Sequence, residues 1–160
     1  MSRHYDTMIM HIYSWALQLA LALVVFVSDR LLKVWALMYC SERVDVLPFL
    51  SCELTFNRGI SWGLFSGVSR FWIISVVMVS VVLFFAYRLY NYSDSILRGL
   101  GESLVIAGAL GNLADRFYYG AVIDFIVVGY HGWYWPVFNI ADSAIVIGVG
   151  IMIWNEFRAS

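Results

Sequence analysis

The sequence predicts an all-α membrane protein, four transmembrane helices that carry a small β-platform at one membrane surface. Three observations carry that prediction. First, 62% of the residues are hydrophobic and 13% are charged, whereas a soluble domain is about half apolar and about a quarter charged. Second, four apolar runs are long enough to cross hydrocarbon about 30 Å thick. Third, Asn112, Asp115, Arg116, Asp124, Asn139 and Asp142 gather in the stretch from Gly108 to Gly148, with apolar segments on both sides. One domain of 160 residues is the natural organisation. The net charge of −1 gives no argument for nucleic acid, and an aromatic content of 18% suits interfacial belts.

The first span is expected over about 12–35, after a polar N-terminus of residues 1–11. It is no cleaved secretory signal, because no small-residue cleavage site follows and the run ends in SDRLLK. Asp29 and Lys33 are four apart and share a helix face. From spacing alone they read as an ordinary helix-end ion pair at the interface; the sharper reading is that they brace a polar site.

Residues 40–69 change character. Val44-Asp45-Val46-Leu47 alternates like a strand, Pro48 interrupts it, and Leu54-Thr55-Phe56 is a second short strand. Gly59, Gly63 and Gly67 then break any spanning helix. Together with 120–137, this segment is expected to form a platform on the membrane surface. Asn57 reads as a turn residue, or as an amide able to hold a substrate backbone. Cys40 and Cys52 match no zinc spacing and read best as small apolar fillers; a disulfide requires that the loop face an oxidising compartment. His4, His11 and His131 are scattered, so no metal site is expected.

The second span is expected over about 71–89, with a polar turn, NYSDS, after it. The third, about 96–116, is rich in glycine, alanine and serine, which lets helices approach closely. It is expected at the centre of the bundle. Asn112, Asp115 and Arg116 share a face at its end. Ile126-Val127-Val128 reads as a strand and Gly129 to Gly132 as a turn. The fourth span is expected over about 138–157, with Asn139 and Asp142 near its start. An Asp in a first helical turn can simply satisfy the helix dipole.

Counting spans brings Asp29, Lys33, Asn57, Arg116, Asp124, Asn139 and Asp142 to one membrane face. Charge there is costly, about 2.5–3.5 kcal/mol for an Asp or Arg at a span centre, so such groups mark a functional site. Two close carboxylates share a proton; one then activates a water while the other polarises a carbonyl. That is peptide hydrolysis without metal, Ser or Cys, and no G-x-S-x-G, H-E-x-x-H or P-loop competes. Acidic pairs also serve transport, but no internal repeat is present and the acids lie near helix ends. A tetraspan scaffold without chemistry is the third reading. Lys and Arg fall on both sides of the spans, so charge leaves the orientation open.

FNRGISWGLF, GNLADRFYYGAVIDFI and FNIADSAIVIG resemble the three signature blocks of the lipoprotein signal peptidases, also called signal peptidase II. Asp29 and Lys33 resemble that family's first block. The resemblance covers nearly the whole chain. It implies an intramembrane aspartyl endopeptidase of the bacterial cytoplasmic membrane, and a monomer is expected. Such an enzyme removes the signal peptide of diacylglyceryl-modified prolipoproteins, cutting before the lipidated cysteine, and is blocked by globomycin. It implies cytoplasmic termini, a site and β-platform at the outer face, and no cofactor. The catalytic pair falls on Asp124 and Asp142. Asn57, Gly59, Asn112, Arg116 and Asn139 match substrate-binding or supporting positions, and Asp29, Lys33 and Asp115 match structural polar ones. Two departures stand out. Arg30 follows Asp29 where the family usually has Gln, and Ser61-Trp62 replaces a small residue and Phe.

Overall fold

The computed structural model describes residues 2–59, 68–91 and 95–159. Four long helices and a four-stranded antiparallel sheet alternate along the chain: α1 (Ser2–Tyr39), β1 (Val44–Leu47), β2 (Leu50–Asn57), α2 (Val68–Asn91), α3 (Ile96–Tyr119), β3 (Val122–Tyr130), β4 (Trp133–Tyr134) and α4 (Ile140–Ala159). Among the described residues, three helices are long and apolar enough to cross a membrane: Phe71–Asn91, Ile96–Tyr119 and Ile140–Arg158. Leu83, Val146 and Ile153 are among the large apolar side chains that these helices expose, as a lipid-facing surface requires.

α1 starts at Ser2, ten residues before the expected span. Residues 2–39 contain neither Gly nor Pro, so nothing local stops the helix. α3 packs against α1, α2, α4 and β3. Its small residues permit this. A Cβ on Gly101 would meet the Gly148 carbonyl oxygen at 2.8 Å, and one on Gly108 would collide with that of Ala141. The helix ends where Gly120 takes a left-handed φ of 68° and its N–H bonds the Arg116 carbonyl.

The sheet joins the two segments expected to form the platform. β2 runs antiparallel to β3, with Thr55 opposite Asp124 and Asn57 opposite Val122. β3 is longer than the Ile126-Val127-Val128 core that alternation reveals, and it runs through Gly129 to Tyr130. The turn shrinks to His131 and Gly132, whose φ values of 49° and 85° are those of a tight two-residue hairpin. The Phe138 carbonyl then accepts the N–H groups of Phe125 and Ile126, at 3.1 and 2.8 Å. That contact lashes the approach to α4 onto β3.

Cys40 and Cys52 are paired in a disulfide, with Cα atoms 5.7 Å apart, so the apolar-filler reading is corrected. Spacing could not show this, because the bond depends on β2 folding back beneath the end of α1. Cys40 and Cys52 pack with Ala36 and Phe125 in a small core under the sheet. Gly63, Gly67, Ser61 and Trp62 lie outside the described residues, as do residues 92–94 of the polar turn.

Candidate active site

Asp124 on β3 and Asp142 on α4 are linked through one residue, Asn139. Asp124 is 1% exposed, while Asp142, in the first turn of α4, is half-buried. Asn139 touches both: its side-chain amide donates to Asp124 Oδ1 at 2.7 Å, and its backbone N–H donates to Asp142 Oδ2 at 3.3 Å. The Asp142 N–H in turn donates to Asn139 Oδ1 at 2.8 Å. Asn139 and Asp142 thus form a reciprocal cap at the start of α4. Asp142 does satisfy the helix end, as its bland reading holds, but that uses one of its oxygens.

Three asparagine amides are oriented by the same logic. An amide presents an acceptor on one side and donors on the other, so fixing a donor against its oxygen decides where its nitrogen points. Asn57 Oδ1 accepts the Gly59 N–H at 2.9 Å, and its Nδ2 donates to Asp124 Oδ2 at 2.9 Å. Gly59 makes that turn with φ 91°. Asn112 Oδ1 accepts from the Lys33 ammonium at 3.0 Å, and its Nδ2 donates to Asp142 Oδ1 at 2.7 Å. Asn139 is fixed by the cap. Each oxygen of the two carboxylates therefore accepts at least one N–H.

Burial dominates the titration of Asp124, whose carboxyl is pushed up to about 6. The Asn57 and Asn139 amides oppose that rise, and the charge of Asp142 adds to it. Arg116 is 7% exposed, and its charge acts on Asp124, Asp142 and Asp115. Its Nε is buried without a hydrogen-bond partner.

Behind the two carboxylates lies an ionic cluster. Lys33 binds Asp29 at 2.9 Å and Asp115 at 2.6 Å. Arg30 binds the same two acids, at 2.8 and 2.6 Å. The Asp29, Lys33 and Asp115 side chains are 1% exposed or less. The ordinary helix-end pair favoured by spacing is therefore corrected: Asp29 and Lys33 are buried in an ionic cluster with Asp115, and Lys33 also bonds Asn112. An i, i+4 spacing cannot tell the two readings apart, since the burial comes from α3. Arg30, singled out in the sequence only as a departure from the family's usual Gln, has no place at the site in that reading. A third charge within five residues of an apolar run was its signal.

A cavity of about 320 Å³ lies alongside α4, lined by Trp135, Phe138, Asp142, Ser143, Val146 and Ile147. Its wall is almost wholly apolar and its one acid is Asp142. A long apolar group can lie there with a polar group facing Asp142.

A model of the family described as signal peptidase (SPase) II matches residues 21–158. The lipoprotein signal peptidase of Polynucleobacter necessarius subsp. necessarius is 40% identical over 147 residues, which are 89% of this chain and 90% of that protein. The lipoprotein signal peptidase of Burkholderia thailandensis is 34% identical over 144 residues, 88% of this chain and 87% of the relative. Among solved structures, a bacterial membrane enzyme determined by the in meso method at 1.9 Å resolution superposes with a TM-score of 0.79. It is 30% identical, over 91% of this chain and 95% of that one.

Proposed function

The chain belongs to the signal peptidase II family of aspartic-type peptidases, which act in lipoprotein maturation, and we propose that Asp124 and Asp142 are its catalytic pair. The observation that carries this reading is the double contact of Asn139, whose side-chain amide bonds Asp124 and whose backbone N–H bonds Asp142. Crowded in this way, the pair holds one proton between them until the pH rises through about 6. The ionised member takes a proton from water, and the hydroxide so formed attacks the scissile carbonyl carbon. The protonated member donates to the carbonyl oxygen. Collapse of the tetrahedral intermediate breaks the C–N bond and passes a proton to the leaving amine. Water is the only co-reactant, so no cofactor is needed.

The substrate is a prolipoprotein whose cysteine already carries diacylglyceryl, and the cut falls just before that cysteine. The apolar cavity beside Asp142 supports this reading: it offers a place for acyl or signal-peptide side chains next to the water-activating group. Val146 and Ile147 expose more than half their surface, so a lipidated chain can enter sideways from the bilayer. Asn57, Gly59, Asn112, Arg116 and Asn139 support the pair or the substrate backbone. Asp29, Lys33 and Asp115 are structural. The enzyme acts as a monomer.

In this reading α1 is the fourth span, over about 12–35, and both termini are cytoplasmic. The disulfide supports that orientation, since Cys40–Cys52 lies in the sheet-bearing end and such bonds persist in oxidising compartments. A phosphatase that needs export for activity should stay silent when fused after Ser160; activity there would reverse the topology.

The purified protein should cleave a diacylated prolipoprotein, release a product beginning at the modified cysteine, and be blocked by globomycin. Equal cleavage of the unmodified precursor would refute the substrate assignment.

A further inference from the structure

We propose that Arg30 is a positioning residue that sets the spacing between Asp124 and Asp142; this rests on the reading of those two acids as the reacting pair. Its planar guanidinium forks between two buried carboxylates, Nη1 to Asp115 Oδ1 at 2.6 Å and Nη2 to Asp29 Oδ2 at 2.8 Å. Nη2 also donates to the Gly111 carbonyl at 3.0 Å, which ties the fork to the body of α3. Each carboxylate then holds a backbone N–H with its other oxygen. Asp115 Oδ2 accepts from Ile123 at 3.2 Å, and Asp29 Oδ1 accepts from Ala141 at 3.0 Å. Ile123 is the residue before Asp124, and Ala141 is the residue before Asp142. One rigid group thus connects, through one carboxylate on each side, to the two peptide units that aim the reacting acids.

Lys33 touches the same two acids, but an ammonium is a point charge without preferred in-plane directions, whereas a guanidinium fixes both distance and angle. Little slack remains around the fork. A Cβ on Gly111 would lie 2.9 Å from Asp29 Oδ2. Among the described residues, the charged groups around the acid pair are Asp29, Arg30 and Lys33 from α1 and Asp115 and Arg116 from α3, with Asp124 on β3 and Asp142 on α4. β2 contributes the uncharged Asn57.

The test compares wild type with Arg30→Lys, which keeps the charge and loses the fork, and with Arg30→Gln, which also loses the charge. Isotope-edited infrared spectroscopy reads the carboxyl titration of the pair in the protein without substrate, with Asp124→Asn and Asp142→Asn assigning the bands. In Arg30→Lys the two apparent pKa values should draw together, because acids held less tightly couple less. In Arg30→Gln the Asp124 titration should also move upward, because a nearby cation is gone. Turnover of the diacylated precursor should fall about tenfold in either variant, with KM within about twofold. A folded Arg30→Lys with the wild-type titration overturns the proposal, whether or not turnover falls. So does failure of both variants to fold, which would make Arg30 a stability residue. A shifted titration in a protein that cleaves nothing would retain the positioning role and refute the functional reading instead.

Discussion

Asp124→Asn or Asp142→Asn should lower cleavage of a diacylated prolipoprotein by about 10³-fold or more while leaving folded protein. Asparagine is nearly isosteric with aspartate, so the loss of a proton carrier is the only large change. Asp124 sits between the amides of Asn57 and Asn139, and an asparagine carbonyl can still accept from one of them. The other amide loses a charged acceptor, a modest cost beside the loss of chemistry. Residues that act as a unit are non-additive, so the double variant should be no slower than either single one. Turnover within about tenfold of wild type in either purified variant would refute the assignment.

The same pair predicts a pH dependence. Burial has pushed the Asp124 carboxyl up to about 6. The rate should therefore fall as pH rises through that value, because the proton that polarises the substrate carbonyl is then lost. Asn57 donates to the ionised form of Asp124 and so works against the rise. Asn57→Ala removes that donor, and the alkaline limb should move to higher pH. A limb that stays put or moves down would show that the limb belongs to another group.

The sequence reveals those parts of the fold and site that local pattern can encode. Apolar run lengths outline all four helices, and the alternation of Val44 to Leu47 marks β1 at its observed bounds. Asn139 and Asp142, three apart ahead of an apolar run, announce a helix start, and there the reciprocal cap forms. What pattern cannot encode is partnership across the chain. Asp29 and Lys33 look like an ordinary helix-end pair until α3 covers them with Asp115 and Asn112. Cys40 and Cys52 look like fillers until β2 turns back under α1. Arg30 stands out in the sequence only as a departure from the family's usual Gln, and its meaning lies in contacts 81 and 85 residues away. Helix caps and strands are read within a few residues, whereas buried ionic clusters are built from distant ones.

Lys33→Met should cost about 3–5 kcal/mol of stability, the usual result of removing one partner from a buried ion pair. Methionine fills most of the volume, so the loss is electrostatic. Asp29 and Asp115 would then share Arg30 as the one cation bonded to them among the described residues. Asn112 Oδ1 would keep only the Asn139 amide, at 3.1 Å, and its hold on Asp142 would loosen. Denaturant unfolding in detergent measures the cost, and a loss under about 1 kcal/mol would contradict it. A cycle with Asp115→Asn should show positive coupling: the double variant leaves no unmatched charge and should lose less than the two single losses added together. An apolar replacement of a whole buried cluster is often neutral or stabilising, so stability alone does not account for keeping four charges here. What an apolar core cannot do is hold the peptide units before Asp124 and Asp142 by directional bonds, and that demand explains why the cost of burying these charges is borne.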